Sequence, residues 1–409
     1  MKEVFLKILR DIKPSDEERK ILDEVSGKII KSIEKNAKEL GVGVEVVLGG
    51  SASRGTNMKG NHDLDFFIRF DSEKDISNYY KLLMAKSFDG FKLVHGTREY
   101  FSGIFEGYRV EFVPSIKYDS PNKAKNSADI SYFHINYLKK QFEKNPELKD
   151  DVLIFKQFLK ANDVYGAESA RSGFSGYVCE LLIIYFKGFY NMLEYFENAK
   201  PKVVVDLEKH YKNPEEAIKV FNKNKITGPL LVVDPQLPLR NAASCVSMES
   251  FSQFLFKARI FLRTHNLKLF NIRGLRLSLV SERSEKRGTK LISFKLKESS
   301  DFDILKAKVL KKLSSIESSL KKEGFGIYSF GVTDDSYAYF ELESIKVSKA
   351  KRHYGPLVWC EAKNFTEFID KWNVHGISKP YVSDNKLAVD VLRTEDAKEF
   401  IKKALVDYL

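Results

Sequence analysis

The clearest alternation of apolar and polar positions lies between residues 44 and 116. The segment DLDFFIRF, from Asp63 to Phe70, places four apolar side chains on one face of a strand and both aspartates on the other. A helical pattern lies near residues 76–86. Further strand-like segments surround DLDFFIRF: VEVVLG, FKLVHG, REYFSGIF and YRVEFVPS. This region is therefore predicted to form a compact mixed sheet covered by helices.

A different periodicity flanks this region on both sides. The tetrapeptide SDEE, Ser15 to Glu18, is a capping box in front of a long amphipathic pattern, which predicts a helix there. Between about Asp129 and Phe261 the apolar positions follow a helical period, which predicts a second, mainly helical domain: DVLIFKQFLKAN, GYVCELLIIYFKGFYNML and MESFSQFLFKARIFL.

Strand-like segments return beyond residue 261. The predicted strands are LRLSLV, KLISFKL, YAYFEL and KLAVDVL, with helices near 303–322 and 364–372. The turn Ser383–Asn385 indicates a hairpin, and SERSEKRGTK is predicted to be a mobile basic loop. One or two further α/β domains are expected in the C-terminal third.

Length and composition narrow the class of protein. A chain of 409 residues exceeds what one hydrophobic core usually serves, so two to four domains are expected. The net charge of +12 and the pI near 9.2 favour a polyanionic partner such as nucleic acid, although lysine-rich surfaces also promote solubility. No apolar run is long enough to cross a bilayer and the N-terminus lacks a signal core, so a cytoplasmic location and no membrane partner are expected.

The metal-binding residues that small domains use are scattered. The three cysteines form no C-x-x-C pair and the seven histidines form no H-x-x-x-H pair. Neither a disulfide framework nor a structural zinc site is therefore expected.

The paired acids raise a chemical question, because two like charges on one strand face repel each other. A divalent cation between Asp63 and Asp65 would relieve that repulsion. Glu111, in the apolar segment YRVEFVPS, supplies a third acid, and the turn GGSASRGT offers backbone N–H groups, a hydroxyl and Arg54 for a phosphate. Three carboxylates could hold two Mg²⁺ ions around a triphosphate. The alternative is that the acids lie on the solvent side of an edge strand.

These residues resemble a known family. GGSASRGTNMKGNHDLDFFIRF resembles the nucleotidyltransferase signature of the DNA polymerase β superfamily. Further segments resemble the class I, archaeal-type tRNA nucleotidyltransferases, the CCA-adding enzymes: SADISYFHINYL, VYGAESARSGFSGYVCELLIIYFKGF, LLVVDPQLPLRNAASCVS and KRHYGPLVW. The resemblance extends from the first helix to the C-terminus.

The resemblance implies an α+β multidomain fold. Its parts would be a polymerase-β-like nucleotidyltransferase head (1–128), a helical neck (129–260), an α/β body (261–298 and 373–409) and a tail (299–372) that binds the tRNA arm. It also implies addition of C, C and A to the tRNA 3′ end from CTP and ATP, with Mg²⁺ as cofactor. The expected partners are the tRNA acceptor arm and 3′ end, ATP and CTP, and a homodimer is left open.

The resemblance also assigns site residues. Asp63, Asp65 and Glu111 would be catalytic and hold the metals. The remaining assignments are substrate-binding residues. Those that would line the nucleotide pocket or contact the triphosphate are Ser51, Arg54, Ser131, His134, Lys156, Tyr165, Ser175 and Tyr177. Asp234 and Arg240 would help to read the base.

Alternatives remain for residues and for function. The family usually has aspartate at the position of Glu111, which leaves a catalytically inactive RNA-binding protein as one alternative. A poly(A) polymerase or oligoadenylate synthetase would share the head and much of the neck. Taken alone, Lys156 is typical of a solvated helix face, the two tyrosines of core aromatics, and Arg240 of a helix cap or a partner of Asp234.

Overall fold

The structure, a computed structural model, describes residues 2–96, 98–167, 172–224, 228–272, 274–299, 302–393 and 396–409. The chain divides into two compact units, Met1–Ile272 and Arg273–Leu409. Within these described ranges, no helix combines the length and the apolar character that crossing a bilayer requires.

The N-terminal part of the first unit is a five-stranded sheet covered by helices, as predicted. Its order is β1-β2-β5-β4-β3, with β2 antiparallel to β1 and parallel to β5. Its elements are α1 (Lys2–Ile12), α2 (Asp16–Glu39), β1 (Val44–Leu48), β2 (Asp63–Phe70), α3 (Glu73–Ser87), β3 (Lys92–Val94), β4 (Tyr100–Phe105) and β5 (Tyr108–Ile116).

The predicted alternation along β2 is confirmed. Leu64, Phe66, Ile68 and Phe70 are fully buried in a core shared with α2 and α3. Helix α2 begins at the predicted capping box, where the Glu18 N–H donates to Ser15 Oγ and the Ser15 N–H donates to the Glu18 carboxylate. The apolar face of β2 is thus held by helices, which leaves its acidic face turned away from this core.

The rest of the first unit is mainly helical and contains one small parallel sheet, which sequence periodicity did not indicate. Its elements are α4 (Ser127–Lys144), α5 (Leu148–Ala161), α6 (Gly176–Phe186), α7 (Phe189–Glu197), β6 (Val203–Asp206), α8 (Pro214–Lys223), β7 (Leu230–Val233) and α9 (Met248–Thr264). The segment GYVCELLIIYFKGFYNML, predicted as one helical piece, is divided between α6 and α7. The chain breaks at Lys187 and Gly188, which both have positive φ, a conformation that ends a helix.

The second unit contains two three-stranded sheets, of order β8-β10-β9 and β11-β13-β12. Its elements are α10 (Leu277–Arg287), β8 (Lys290–Lys295), α11 (Phe302–Lys322), β9 (Ile327–Val332), β10 (Tyr337–Leu342), β11 (Ala350–Leu357), α12 (Ala362–His375), β12 (Tyr381–Ser383), β13 (Lys386–Leu392) and α13 (Ala397–Ala404). The predicted hairpin is confirmed: Asp384 and Asn385 both have positive φ between β12 and β13.

Two local predictions in this unit are wrong. The strand predicted for LRLSLV lies partly in helix α10, and that helix continues to Arg287 through most of the predicted mobile loop. The Leu277 N–H at its start donates to the Asp335 carboxylate, so the helix has an N-terminal acceptor 58 residues away in sequence. Local periodicity contains no sign of such a distant partner.

The buried cores group the C-terminal segments differently from the predicted body and tail. Helix α11, inside the predicted tail, shares a core with β8 and α13 of the predicted body. A second core joins α12 to β13. Strand β10 pairs with both β8 and β9, which holds segments on both sides of residue 299 in one sheet.

Candidate active site

Three acids share one face of the first sheet. The parallel register of β2 and β5 places Asp65 opposite Glu111 and Asp63 opposite Arg109. Residues opposite each other in a sheet project from the same face. All four line a cavity of about 250 Å³ together with Ser51 and Asn61.

The electrostatics of this face favour a bound cation. Burial, and then the charge of Asp63, raises the pKa of Asp65 above its ordinary value. Burial, and then the charge of Asp65, likewise raises the pKa of Glu111. Arg109 Nη2 lies 3.7 Å from Glu111 Oε1 and offsets part of this repulsion.

The donor set suits a hard divalent metal, since carboxylate oxygens are the ligands that such ions prefer. Binding a cation would also relieve the mutual repulsion of the acids. As placed, the described residues form no group of three close metal ligands. Asp63, Asp65 and Glu111 are nevertheless the acids that line the cavity.

The Gly-Gly-Ser turn packs directly against Asp65. The Gly49 N–H donates to the Asp65 carbonyl oxygen at 2.6 Å. Gly50 has φ +59°, and a Cβ added there would lie 2.3 Å from Asp65 Oδ2. Only glycine suits that position. The Ser51 carbonyl oxygen accepts hydrogen bonds from the Arg54 and Thr56 N–H groups, which closes the turn at the edge of the cavity.

Two of the predicted phosphate-binding cations lie behind this turn. Arg54 donates to both carboxylate oxygens of Glu180 at 3.1 Å, and Lys156 Nζ donates to the Thr56 carbonyl oxygen at 2.9 Å. The Lys156 residue is 2% exposed. The structure therefore brings Arg54 and Lys156 together around Glu180, while Ser51 lines the cavity.

Three further predicted residues lie on the helices that follow. Ser175 Oγ accepts from the Val178 N–H and caps α6. An added Cβ at Gly176 would lie 3.2 Å from the Tyr165 hydroxyl oxygen, so Tyr165 is beside that helix start. Ser131 Oγ donates to the Ser127 carbonyl oxygen within α4.

The remaining predicted residues assemble around Asp234. Its carboxylate contacts His134 Nε2 at 3.0 Å and Arg240 Nη1 at 2.5 Å, and accepts from the Tyr177 hydroxyl at 3.4 Å. The rings of His134 and Tyr177 are 4.5 Å apart. Burial would raise the pKa of Asp234, but hydrogen bonds from His134 and the Gln236 N–H and the charge of Arg240 hold it below 3.8.

Sequence reasoning missed several residues of this region. Glu180 was assigned no role, although it is an acid inside the apolar segment GYVCELLIIYF, and an acid in such a run is the signal of a buried, paired carboxylate. Arg109 lies two residues before Glu111 in β5, so the period of two along a strand could have revealed that both side chains share one face. Asp129, 1% exposed, accepts from the Ile116 N–H and from Arg98, and so joins β5 to α4.

Family models match three parts of the chain. They are a nucleotidyltransferase domain over residues 29–163, the second domain of tRNA nucleotidyltransferases over 150–271 and the C-terminal domain of CCA-adding enzymes over 287–408. A CCA-adding enzyme of Nanoarchaeum equitans is 33% identical over 84% of this chain and 84% of its own length.

The chain belongs to the CCA-adding enzyme family. A second member, from Picrophilus torridus, is 31% identical over 94% of this chain and 86% of its own length. The predicted resemblance is thus confirmed over most of the chain.

Solved structures with the same fold extend the comparison. The structure of a cytoplasmic RNA terminal U-transferase has a TM-score of 0.51 at 15% identity and covers 67% of this chain and 99% of its own. Cid1, described with terminal uridylyl transferase activity, has a TM-score of 0.52 at 14% identity and covers 66% of this chain and 97% of its own. At these identities the likeness concerns the fold, which confirms the predicted nucleotidyltransferase architecture. Enzymes with this fold generally use divalent metals.

Proposed function

We propose that the chain adds C, C and A to the 3′ end of tRNA, from CTP and ATP, with release of pyrophosphate. The observation that carries this proposal is the set of three acids beside the Ser51 turn in a member of the CCA-adding enzyme family. The terminal hydroxyl of the tRNA attacks the α-phosphorus and pyrophosphate leaves, so no covalent enzyme intermediate is required.

Asp63, Asp65 and Glu111 are the groups that would hold Mg²⁺. When bound, the metal lowers the pKa of an attacking hydroxyl and neutralises the leaving pyrophosphate. The protein's own contribution is to orient the acids on paired strands. The Ser51 turn and Arg109, at the same cavity, offer donors and positive charge for phosphate oxygens.

The Asp234 group is proposed to read the base. Stacking alone is nearly base-blind, so selecting CTP and ATP over UTP and GTP requires hydrogen bonds to the base edge. Arg240 has a side chain 45% exposed and fixed at one nitrogen by Asp234, which leaves guanidinium N–H groups for a ligand. Tyr177 and His134 flank the same carboxylate.

The second unit is proposed to hold the tRNA arm. The net charge of +12 suits a polyanion. In the second unit, helix α11 carries exposed lysines at positions 308, 311, 312, 321 and 322. Such a cluster of positive charges attracts phosphates.

The experiment is extension of a tRNA that lacks its last three nucleotides, with Mg²⁺ and α-labelled CTP and ATP, resolved on a sequencing gel. We expect three ordered additions and a stop. The control is Asp63→Ala/Asp65→Ala, which should give none, because it removes two of the three proposed metal ligands.

Other products would overturn the proposal. Long A tails would indicate a poly(A) polymerase, and short 2′-linked oligomers an oligoadenylate synthetase. Retention of tRNA binding without extension at any metal concentration would indicate an inactive RNA-binding protein in which Glu111 does not replace aspartate.

A further inference from the structure

A buried carboxylate outside the catalytic cavity gathers two cations and a hydroxyl. Glu180, on α6, has a side chain with no exposed surface. Arg54 donates to both of its oxygens at 3.1 Å and Thr56 Oγ1 donates to Oε1 at 2.5 Å. Lys156 Nζ, on α5, lies 3.9 Å from Oε1. An acid buried this deeply is stable only when it is paired and hydrogen-bonded.

The partners of Glu180 connect it to the catalytic turn. The backbone N–H groups of Arg54 and Thr56 both donate to the Ser51 carbonyl oxygen, at 3.2 and 3.1 Å. The side chains of the same two residues are held by Glu180. A shift of the carboxylate would therefore move both donors that close the turn at Ser51.

The turn in turn contacts the metal-facing acid. Gly49 is bonded to the Asp65 backbone, and Gly50 leaves no room for a side chain against Asp65 Oδ2. The path from Glu180 to Asp65 thus consists of direct contacts and hydrogen bonds throughout.

Glu180 is the shared partner of two basic side chains. One carboxylate faces two basic side chains, Arg54 at 3.0 Å and Lys156 at 3.9 Å. Burial lowers the pKa of Lys156, and the charge of Glu180 opposes that effect. Glu180 therefore favours the charged form of Lys156, which donates to the Thr56 carbonyl oxygen next to the turn.

We propose that Glu180 is a positioning residue of the nucleotide site, which clamps Arg54, Thr56 and Lys156 and so fixes the Ser51 turn for the triphosphate. The inference rests on the proposed nucleotidyl transfer and extends it to a residue that touches neither substrate nor metal. It concerns the triphosphate, which CTP and ATP share, and not the base.

The decisive variant is Glu180→Gln, which keeps the shape of the side chain and removes its charge. We expect the KM for both CTP and ATP to rise about 10–100-fold, as for loss of a hydrogen-bonded charge. The KM for tRNA and the discrimination against UTP and GTP should not change. The dissociation constant of α,β-methylene-ATP with Mg²⁺ should rise by the same factor, and this measurement does not require turnover.

Three further variants control for folding and for charge. Thr56→Val removes one donor to Glu180 at similar volume and should raise the same two constants by a smaller factor, whereas Thr56→Ser retains the hydroxyl and should restore them. Glu194→Gln, at an exposed position of α7, should match the wild-type protein. Thermal melting checks that each variant is folded.

A folded Glu180→Gln with wild-type nucleotide constants overturns the inference, as does an equal loss in tRNA and nucleotide affinity. If Glu180→Gln does not fold, Thr56→Val decides by the same criteria. The wild-type protein could fail to extend tRNA while Glu180→Gln still binds α,β-methylene-ATP more weakly than the wild type does. That result would overturn the proposed function and leave the role of Glu180 supported.

Discussion

Asp65 and Asp234 are both largely buried aspartates of the first unit, yet their pKa values shift in opposite directions. Burial raises the pKa of Asp65, and the neighbouring charge of Asp63 raises it further. Burial acts in the same sense on Asp234, but donors from His134, the Gln236 N–H and Arg240 reverse the outcome. Burial alone therefore does not determine whether an aspartate is repelled by its surroundings or held by them; the neighbours of the acid do.

The comparison predicts that replacing aspartate by asparagine has opposite effects on the free energy of unfolding at the two positions. In a metal-chelating buffer, Asp65→Asn should raise the free energy of unfolding by roughly 0.5–2 kcal/mol, since it removes a repelled charge at a functional site. Asp234→Asn should lower it by about 1.5–3 kcal/mol, because it weakens hydrogen bonds to a charged group. Asp65→Asn should also slow extension at least about a hundredfold, since metal-assisted stabilisation supplies several kcal/mol.

Denaturant unfolding between pH 3 and 7 tests whether Asp65 and Asp234 contribute to stability with opposite signs. The folded pKa of Asp234 is lowered, so its stabilising contribution is present above about pH 3.8 and is lost as the pH falls through the folded pKa. The folded pKa of Asp65 is raised, so its destabilising effect grows as the pH rises above 3.8. Two substitutions that change stability in the same direction at pH 7 would contradict the comparison.

Much of the first sheet could be predicted because the alternation of apolar and polar residues is contained within each short strand segment. The alternation in DLDFFIRF fixes which side chains face the core, and the capping box fixes the start of α2. Helix α10 could not be predicted in the same way, since the acceptor at its start comes from Asp335. The break between α6 and α7 was missed because it depends on backbone conformation at Lys187 and Gly188.

The candidate site shows the same limit. Period two places Asp63 and Asp65 on one face, but only the strand register brings Glu111 opposite Asp65. The resemblance selected Arg54 and Lys156, while their convergence on Glu180 depends on how α5 and α6 pack against the turn. Contacts between elements distant in sequence are decided by packing, which a local pattern does not encode.

The next prediction concerns selectivity. Arg240→Ala should reduce the preference for CTP and ATP over UTP and GTP by about tenfold, since it removes a charged donor worth about 1.5 kcal/mol. The Mg²⁺ dependence of the rate should stay unchanged, because the acids of the cavity are not altered. Competition assays with paired nucleotides measure the ratio. Arg263→Ala, at an exposed position of α9, is the matched control, and equal losses for all four nucleotides would contradict a base-reading role.

The smallest effect is expected for Glu111→Asp. Aspartate is the residue that the resemblance leads us to expect there, and it retains the charge opposite Asp65, so extension should slow by less than about tenfold, or about 1.4 kcal/mol. Glu111→Gln keeps the length and removes the charge, so it should slow extension at least about a hundredfold, as expected when a metal ligand is weakened. Single-turnover rates over a range of Mg²⁺ concentrations measure both. If aspartate is as damaging as glutamine, the length of the side chain matters as much as its charge, and this cavity has become adapted to glutamate.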